Sequence, residues 1–281
     1  MANEWKAKKQ RLDLLLVERG FFPSREQARA AIMAGEVLVG ANKIEKAGAA
    51  VDPAAEIRLL GNRLPYVSRG GLKLEKAICC FHLDLHGLTV IDIGSSTGGF
   101  VDCALQNGAQ RVYAVDVGRN QLAWKLRNDA RVIVLEKTNA RFLDRQTIPE
   151  QADLITADVS FISLALALPA AVQHLLKPGG SVVALIKPQF EAGRAAVGKG
   201  GVVRDKKVHR QVLERMLSVF AEMGLGVQAL DFSPITGADG NIEYLIHAQK
   251  GLQQADSFSP QQIIDAAWSV HHATKQQKIE D

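Results

Sequence analysis

The sequence predicts an α/β protein: a doubly wound sheet of about seven strands, preceded by a small α+β domain. Three observations carry that expectation. From Leu88 onward, short apolar runs alternate with helical patterns, as in a parallel sheet covered on both faces. The first of these runs, Val90, Ile91 and Ile93, leads into Asp92-Ile-Gly94-Ser95-Ser96-Thr97-Gly98-Gly99-Phe100 and then into a helical pattern. A strand, a glycine-rich turn and a helix N-terminus in that order let backbone approach a small ligand closely, although an ordinary strand–loop–helix turn has the same outline. Thirdly, the N-terminal quarter has a different charge balance. Residues 1–76 hold 14 Lys and Arg against 9 Asp and Glu, and the other 205 residues hold 20 against 21. An anionic partner for the N-terminal part and a merely solvated surface both fit that excess.

A chain of 281 residues with 47% apolar content allows one large or two modest folded domains. The expected division is 1–61, a linker over 62–71, a main domain over 72–250 and a tail over 251–281. Cys79, Cys80 and Cys103 are odd in number and two are adjacent, which suits a reducing cytoplasm rather than a disulfide framework. The N-terminus lacks an apolar signal region, and the longest uncharged apolar stretch, Leu164 to Leu176, is too short to span a bilayer. No metal-ligand spacing is evident. A cytoplasmic location without membrane insertion is expected.

In chain order, residues 1–10 are polar and basic. Leu12, Leu15 and Leu16 give Arg11 to Arg19 a helical stripe, and Gly20 closes it. Ser24 caps a second helix, with Gln27 completing a capping box, and Gly35 ends it. Arg25 and Arg29 share a face of that helix. Val37 to Val39, a Gly40-Ala41-Asn42 turn and Lys43-Ile44 read as a hairpin, and Glu56 to Leu60 as a further strand. Pro65, Gly70 and Gly71 punctuate the joint to a helix carrying Lys73. The second strand, Arg111 to Val115, ends at Asp116, 22 residues after Gly94, where an acid can accept ribose hydroxyls of a nucleoside cofactor. Val132 to Leu135 is a third strand, and the Asn139 loop after it is placed to flank an adenine. Asp153 to Ala157 is a fourth, ending at Asp158. An apolar helix over Ser163 to Leu176 precedes a fifth strand, Ser181 to Ile186, which ends at Lys187. A glycine-rich basic loop, 193–204, leads to a helix capped by Asp205. Two last strands, Val227 to Phe232 and Ile242 to Ala248, and a tail helix near Pro260 to His271 complete the chain.

Ligands of such sheets bind beyond the carboxyl ends of the strands, where Asp92, Asp116, Asp158 and Lys187 fall. The turn lacks the middle glycine of a dinucleotide loop, since position 96 is Ser. Its Asp-x-Gly-x-x-x-Gly pattern resembles the first motif of S-adenosyl-L-methionine (SAM) methyltransferases. That likeness implies a cofactor held by Asp92, Gly94, Ser95, Ser96, Thr97, Gly98, Gly99, Phe100, Asp116, Asn139 and Asp158.

The strings Arg11-Leu-Asp-Leu-Leu-Leu-Val-Glu-Arg-Gly, Ser24-Arg25-x-x-Ala28 and Ala34-Gly35-x-Val37-x-Val39 resemble the S-four-type (alpha-L) RNA-binding domain. Such a domain is shared by a small-subunit ribosomal protein, tyrosyl-tRNA synthetases and many pseudouridine synthases. The likeness implies phosphate contacts from Arg11, Arg25, Arg29 and Lys43, with Arg69 of the joint added to the RNA-binding set. Ser68-Arg69-Gly-Gly-Leu-Lys73, Asp153-Leu-Ile-Thr-Ala-Asp158, Leu185-Ile-Lys187-Pro-Gln-Phe-Glu and Gly240-Asn-Ile-Glu243-Tyr resemble the strings around the Lys-Asp-Lys-Glu tetrad of FtsJ-type ribose 2′-O-methyltransferases. Together the two likenesses resemble the TlyA (hemolysin-A-like) family of ribosomal RNA methyltransferases, although Arg63-Leu-Pro-Tyr66-Val67 departs from that family's Arg-x-Trp-Val linker.

The family resemblance implies a Rossmann-like SAM-dependent methyltransferase fold with its last strand antiparallel. It implies Lys73, Asp158, Lys187 and Glu243 as catalytic residues, acting on a cytidine ribose of ribosomal RNA or ribosomal subunits, in a monomer. DNA is excluded as a substrate because it lacks the 2′-hydroxyl. Lys187 would either take the hydroxyl proton or, if charged, orient the oxygen, with Asp158 orienting and Glu243 holding the two lysines. Three other functions remain open at this point. A non-catalytic ribosome-assembly factor would bind SAM without transfer, a membrane-active hemolysin would lyse cells as pure protein, and an NAD-linked oxidoreductase would be stabilised by NAD rather than SAM.

Overall fold

The computed structural model describes residues 9–33, 35–40, 42–60, 64–193, 196–198, 200–255 and 257–280, with side chains omitted for 238 and 272–280. The expectations for residues 1–8, for Ala34 and Ala41, for linker positions 62 and 63 and for residues 194, 195 and 199 of the basic loop lie outside the described residues. The chain forms two compact units, Met1–Arg63 and Leu64–Asp281.

The first unit runs β1 (Gln10–Arg11), α1 (Leu12–Glu18), α2 (Arg25–Met33), β2 (Val37–Val39), β3 (Asn42–Lys43), β4 (Ala50–Val51) and β5 (Ile57–Leu59). Leu12, Leu15 and Leu16 on one stripe of α1 meet Ala28, Ala31 and Ile32 of α2 over Val37, Val51 and Ile57. The Ser24 hydroxyl accepts from the Gln27 amide at 3.3 Å, as the cap requires. The hairpin β2–β3 pairs Leu38 with Lys43, and β5 adds to the other edge of β2. The pair β1–β4 escapes sequence reading because two residues are too few to show a period.

The second unit runs α3 (Gly70–Cys80), β6 (Thr89–Ile93), α4 (Gly99–Gln106), β7 (Arg111–Val115), α5 (Trp124–Arg127), β8 (Val132–Leu135), β9 (Ala152–Ala157), α6 (Leu164–Ala167), α7 (Pro169–His174), β10 (Leu176–Ile186), α8 (Pro188–Glu191), α9 (Lys206–Glu222), β11 (Leu225–Phe232), β12 (Tyr244–Lys250) and α10 (Pro260–Glu280). Its seven-stranded sheet has the order β11-β12-β10-β9-β6-β7-β8. Neighbours from β10 to β8 are parallel, and β12 runs antiparallel to both β10 and β11. The last strand is thus the reversed one. Apolar side chains bury both faces of the sheet, which is why its strands read as continuous apolar runs.

Three expectations are corrected. The helix expected over 163–176 is two, because Pro169 offers no amide to continue the first and starts the second. The chain then enters β10 at Leu176 and bulges over 177–180, so pairing jumps from Leu176↔Ala152 to Ser181↔Leu154. Glu243 is not in the last strand but immediately before it, where its carbonyl still accepts from the Ser233 amide at 2.8 Å.

Register positions the site. Ile93 lies opposite Ala157, and Ala157 opposite Ala184, so the chain leaves β6, β9 and β10 side by side. Ile186 lies opposite Tyr244 across the antiparallel pair, which sets Glu243 beside Lys187. Three loops and a strand entry therefore converge at one end of the sheet.

Candidate active site

The turn after β6 is fixed by backbone geometry. Gly94, Ser96 and Gly98 have φ of 83°, 46° and 96°, the left-handed region that costs a side-chain-bearing residue energy. A Cβ at Gly94 would lie 2.8 Å from the Asp158 carbonyl oxygen, and one at Gly99 would lie 2.7 Å from the Gly71 amide nitrogen. The glycines therefore let the loop after β9 and the start of α3 close on the turn. Gly94→Ala combines strain with collision. It is expected to destabilise the protein by roughly 1–3 kcal/mol and to lower cofactor affinity, measured by denaturant unfolding and calorimetry.

Asp92 is 1% exposed. Its Oδ1 accepts from the Thr156 hydroxyl at 2.7 Å, while Oδ2 is buried with no hydrogen-bond partner among the described residues. Burial, aided by the charges of Asp158 and Asp116, pushes this carboxyl up to about 7. Asp116 accepts from the Ser96 amide at 2.8 Å and the Gly118 amide at 2.7 Å, tying the end of β7 to the turn.

Beside the turn stands a row of four charges. Lys187 Nζ lies 2.6 Å from Asp158 Oδ1, and Lys73 Nζ 3.1 Å from Asp158 Oδ2 and 2.7 Å from Glu243 Oε2. Ser160 Oγ also accepts from Lys187 at 3.0 Å. Burial works against charge on Lys73, but Asp158 and Glu243 outweigh it and raise its pKa. Burial likewise pushes Asp158 up, and Lys73 and Lys187 outweigh it, so its pKa falls. Glu243 goes the other way: burial raises it more than its neighbouring lysines lower it. The asymmetry follows from position, because Asp158 is flanked by two ammonium groups whereas Glu243 ends the row with one.

These residues line a cleft of about 310 Å³ together with Asp92, Gly94, Ser95, Ser96, Thr97, Gly99 and Phe100. Of the expected cofactor residues, Gly98, Asp116 and Asn139 are not on its wall, and the Asn139 carbonyl oxygen Oδ1 accepts instead from the Arg141 amide. Arg69, expected to meet RNA, lines the cleft as well. Sequence reading missed Ser160 and the 235–237 loop. Ser160 had a signal, lying two residues beyond a strand-end acid. Gly237 had none: a Cβ there would come within 2.7 Å of Glu243 Cδ, a contact made by the fold alone.

In the first unit, Arg11 and Arg25 both bond the buried Asp13 carboxylate, through Arg11 Nε and Nη2 at 3.0 and 2.9 Å and Arg25 Nε at 2.9 Å. The two guanidinium groups remain about half exposed. Arg29 is exposed, and Lys43 lies 3.4 Å from Glu45. Asp13 is a further residue that sequence reading did not single out.

Comparison with known proteins decides the family. Residues 66–250 match the FtsJ-like methyltransferase model and residues 10–57 the S4 domain. The chain belongs to the FtsJ-like methyltransferase family. YqxC of Bacillus subtilis, provisionally named an rRNA methyltransferase, is 51% identical over 98% of both chains. The 16S/23S rRNA (cytidine-2′-O)-methyltransferase TlyA of Mycobacterium tuberculosis is 42% identical over 85% of this chain and 90% of its own. A solved Streptococcus thermophilus structure, provisionally named a hemolysin, superposes with a TM-score of 0.76 at 45% identity, covering 96% of this chain and 99% of that one. Among the described residues no helix is long and apolar enough to cross a membrane.

The cofactor of this FtsJ-like methyltransferase is SAM, and the cleft fits it on its own evidence. The glycine turn leaves room no Cβ would leave, and the orphan Asp92 oxygen suits a cationic ligand. The raised Asp92 carboxyl makes a pH prediction. Between about pH 4 and pH 7 the native state keeps a proton the unfolded state has released, so stability falls as pH rises through that window. Asp92→Asn is expected to flatten this slope and to add on the order of 3 kcal/mol at neutral pH without cofactor. SAM binding below about pH 7 is expected to release a proton, seen by calorimetry in two buffers of different ionisation enthalpy.

Proposed function

We propose that this protein is a cytoplasmic, monomeric enzyme that methylates the 2′-hydroxyl of a cytidine ribose in ribosomal RNA, free or within ribosomal subunits. The base and the RNA class rest on relatives bearing that name, and RNA affinity on the S4 domain. The observation that carries the chemistry is the row Lys187–Asp158–Lys73–Glu243 on the cleft wall.

Bound SAM supplies an electrophilic methyl group on a sulfonium. Asp92, Gly94 to Thr97, Gly99, Phe100 and Asp158, all on the cleft wall, would hold it, with Gly98 shaping the turn. Asp116 retains lone pairs for ribose hydroxyls beyond its two amide bonds, since a carboxylate has about four acceptor sites. Asn139 would flank the adenine. Lys187 carries three donors; one goes to Ser160, and the ammonium stands 2.6 Å from Asp158 Oδ1 as an ion pair. A remaining N–H would donate to the 2′-oxygen and turn a lone pair toward the methyl; the O–C bond would form as the methyl–sulfonium bond breaks, leaving the neutral thioether S-adenosylhomocysteine, and the hydroxyl proton would pass to solvent. Asp158 aims Lys187, and Glu243 and Lys73 hold Asp158. Orientation then supplies much of the acceleration. In the first unit, Arg11, Arg25, Arg29 and Lys43 supply phosphate contacts, and Arg69 a further one at the cleft.

The test is a mass-spectrometric map of ribose methylation in both ribosomal subunits from cells with and without the protein. One or more cytidines losing the 2′-O-methyl group in its absence is expected, and a 2′-deoxycytidine at that position in a synthetic RNA is expected to accept no methyl. Identical maps, with SAM binding intact, would overturn the reading in favour of a non-catalytic RNA-binding role.

A further inference from the structure

The loop after β9 and the loop after β10 each bring part of the charged row, and Glu191 joins them at a second point. Its Oε2 accepts from the Ser163 hydroxyl at 2.6 Å and its Oε1 from the Leu164 amide at 2.8 Å. Ser163 caps α6, which ends the segment carrying Asp158 and Ser160. Glu191 ends α8, the single turn that begins directly after Lys187. The residue is 4% exposed, and its carbonyl accepts from Arg215 Nη1 of α9 at 2.9 Å.

We propose that Glu191 is a positioning residue for methyl transfer: it clamps the Lys187 turn to the Asp158–Ser160 loop. The proposal rests on the function given above. β-Sheet pairing holds the two loops only as far as Ala157 and Ala184. Beyond that, the contacts of Lys187 with Asp158 and Ser160 are the ones that must be free to adjust as a hydroxyl arrives. A clamp four residues further on lets the loops keep their spacing without using the reacting amine as the fastener. A glutamate suits the task because one oxygen meets a hydroxyl and the other an otherwise unbonded first-turn amide.

The test compares Glu191→Ala and Glu191→Gln with the wild type, using purified SAM and unmodified ribosomal subunits. The glutamine can still accept from the Leu164 amide and donate to the Ser163 hydroxyl. With rates normalised to SAM-binding sites, Glu191→Ala is expected to lose on the order of tenfold in kcat, with SAM Kd and RNA KM unchanged. Glu191→Gln is expected to recover most of that loss, and the pH profile of kcat is expected to shift in the alanine variant. A role confined to folding would lower Tm and the number of SAM sites but leave kcat per site and its pH profile in place. That outcome overturns the proposal. If the wild type transfers no methyl to either subunit, the function falls instead. Glu191 is then judged by NMR of the Lys187 Cε and Nζ resonances with SAM bound. Displaced resonances in the alanine variant sustain the clamp, and coincident ones overturn it.

Discussion

Lys187→Met is expected to slow methyl transfer by about 10³-fold, within the range for losing a group that handles the reacting proton or its oxygen. Affinity for SAM is expected to stay within a few-fold, because the glycine turn and Asp92 are untouched. The substitution keeps the length of the side chain and removes the donor proposed to face the 2′-oxygen. kcat and kcat/KM should fall together, the sign of an interaction made in the transition state alone. Lys187→Arg should not rescue. A planar guanidinium cannot place its donors where one ammonium meets Asp158 at 2.6 Å and Ser160 at 3.0 Å and still reaches the substrate. Single-turnover transfer of labelled methyl to ribosomal subunits measures both variants. Activity equal to the wild type in Lys187→Met would remove Lys187 from the mechanism.

The parts of the site that were legible in the sequence are those tied to strand ends. Asp158 and Lys187 directly follow apolar strands and Asp92 is the last residue but one of another, and parallel strands deliver their carboxyl ends to one edge of a sheet. The glycine turn announced itself by spacing, and the charged row by its likeness to a known tetrad. Glu243 was placed in a strand because Ile242 to Ala248 is one apolar run broken only by Glu243 and His247. The structure starts the strand one residue after Glu243, and antiparallel register sets it against Lys187. What stayed hidden were partners supplied by tertiary contact. Asp13 looks like a solvated acid near the start of a short apolar helix, and only the fold sends Arg11 and Arg25 to it. Gly237 carries no local signal, and Glu191, though it closes the string around Lys187, gives no sign of its partners, since the effect of each lies in which distant group it meets. The Pro169 break shows the converse, a local signal present and underweighted, because an apolar stripe ran on through it.

The row of charges makes the second large prediction, on stability. Asp158→Asn leaves two ammonium groups sharing the single carboxylate of Glu243. Breaking a mostly buried ion pair in this way is expected to cost roughly 2–4 kcal/mol near neutral pH, measured by urea unfolding. In the wild type, the lowered Asp158 carboxyl contributes stability above its unfolded value of about 3.9 that is lost as pH falls through the folded pKa. The raised Lys73 ammonium contributes stability below about 10.4 that is lost as pH rises through its folded pKa. Between those limits Asp158 and Lys73 add no pH dependence, whereas the raised Glu243 carboxyl keeps a proton that the unfolded state releases, so the row's contribution falls as pH rises above the unfolded value of Glu243. In Asp158→Asn the sign on the alkaline side reverses. One lysine now sheds its proton more readily folded than unfolded, so the variant gains stability as pH rises, and its deficit should shrink as pH approaches the unfolded lysine value of about 10.4. Removing the second cation should act in the same direction at any pH: Asp158→Asn with Lys187→Met is expected to be more stable than Asp158→Asn alone, a coupling that a double-mutant cycle isolates. A deficit constant with pH and additive with Lys187→Met would mean that the two lysines do not share the charge of Asp158.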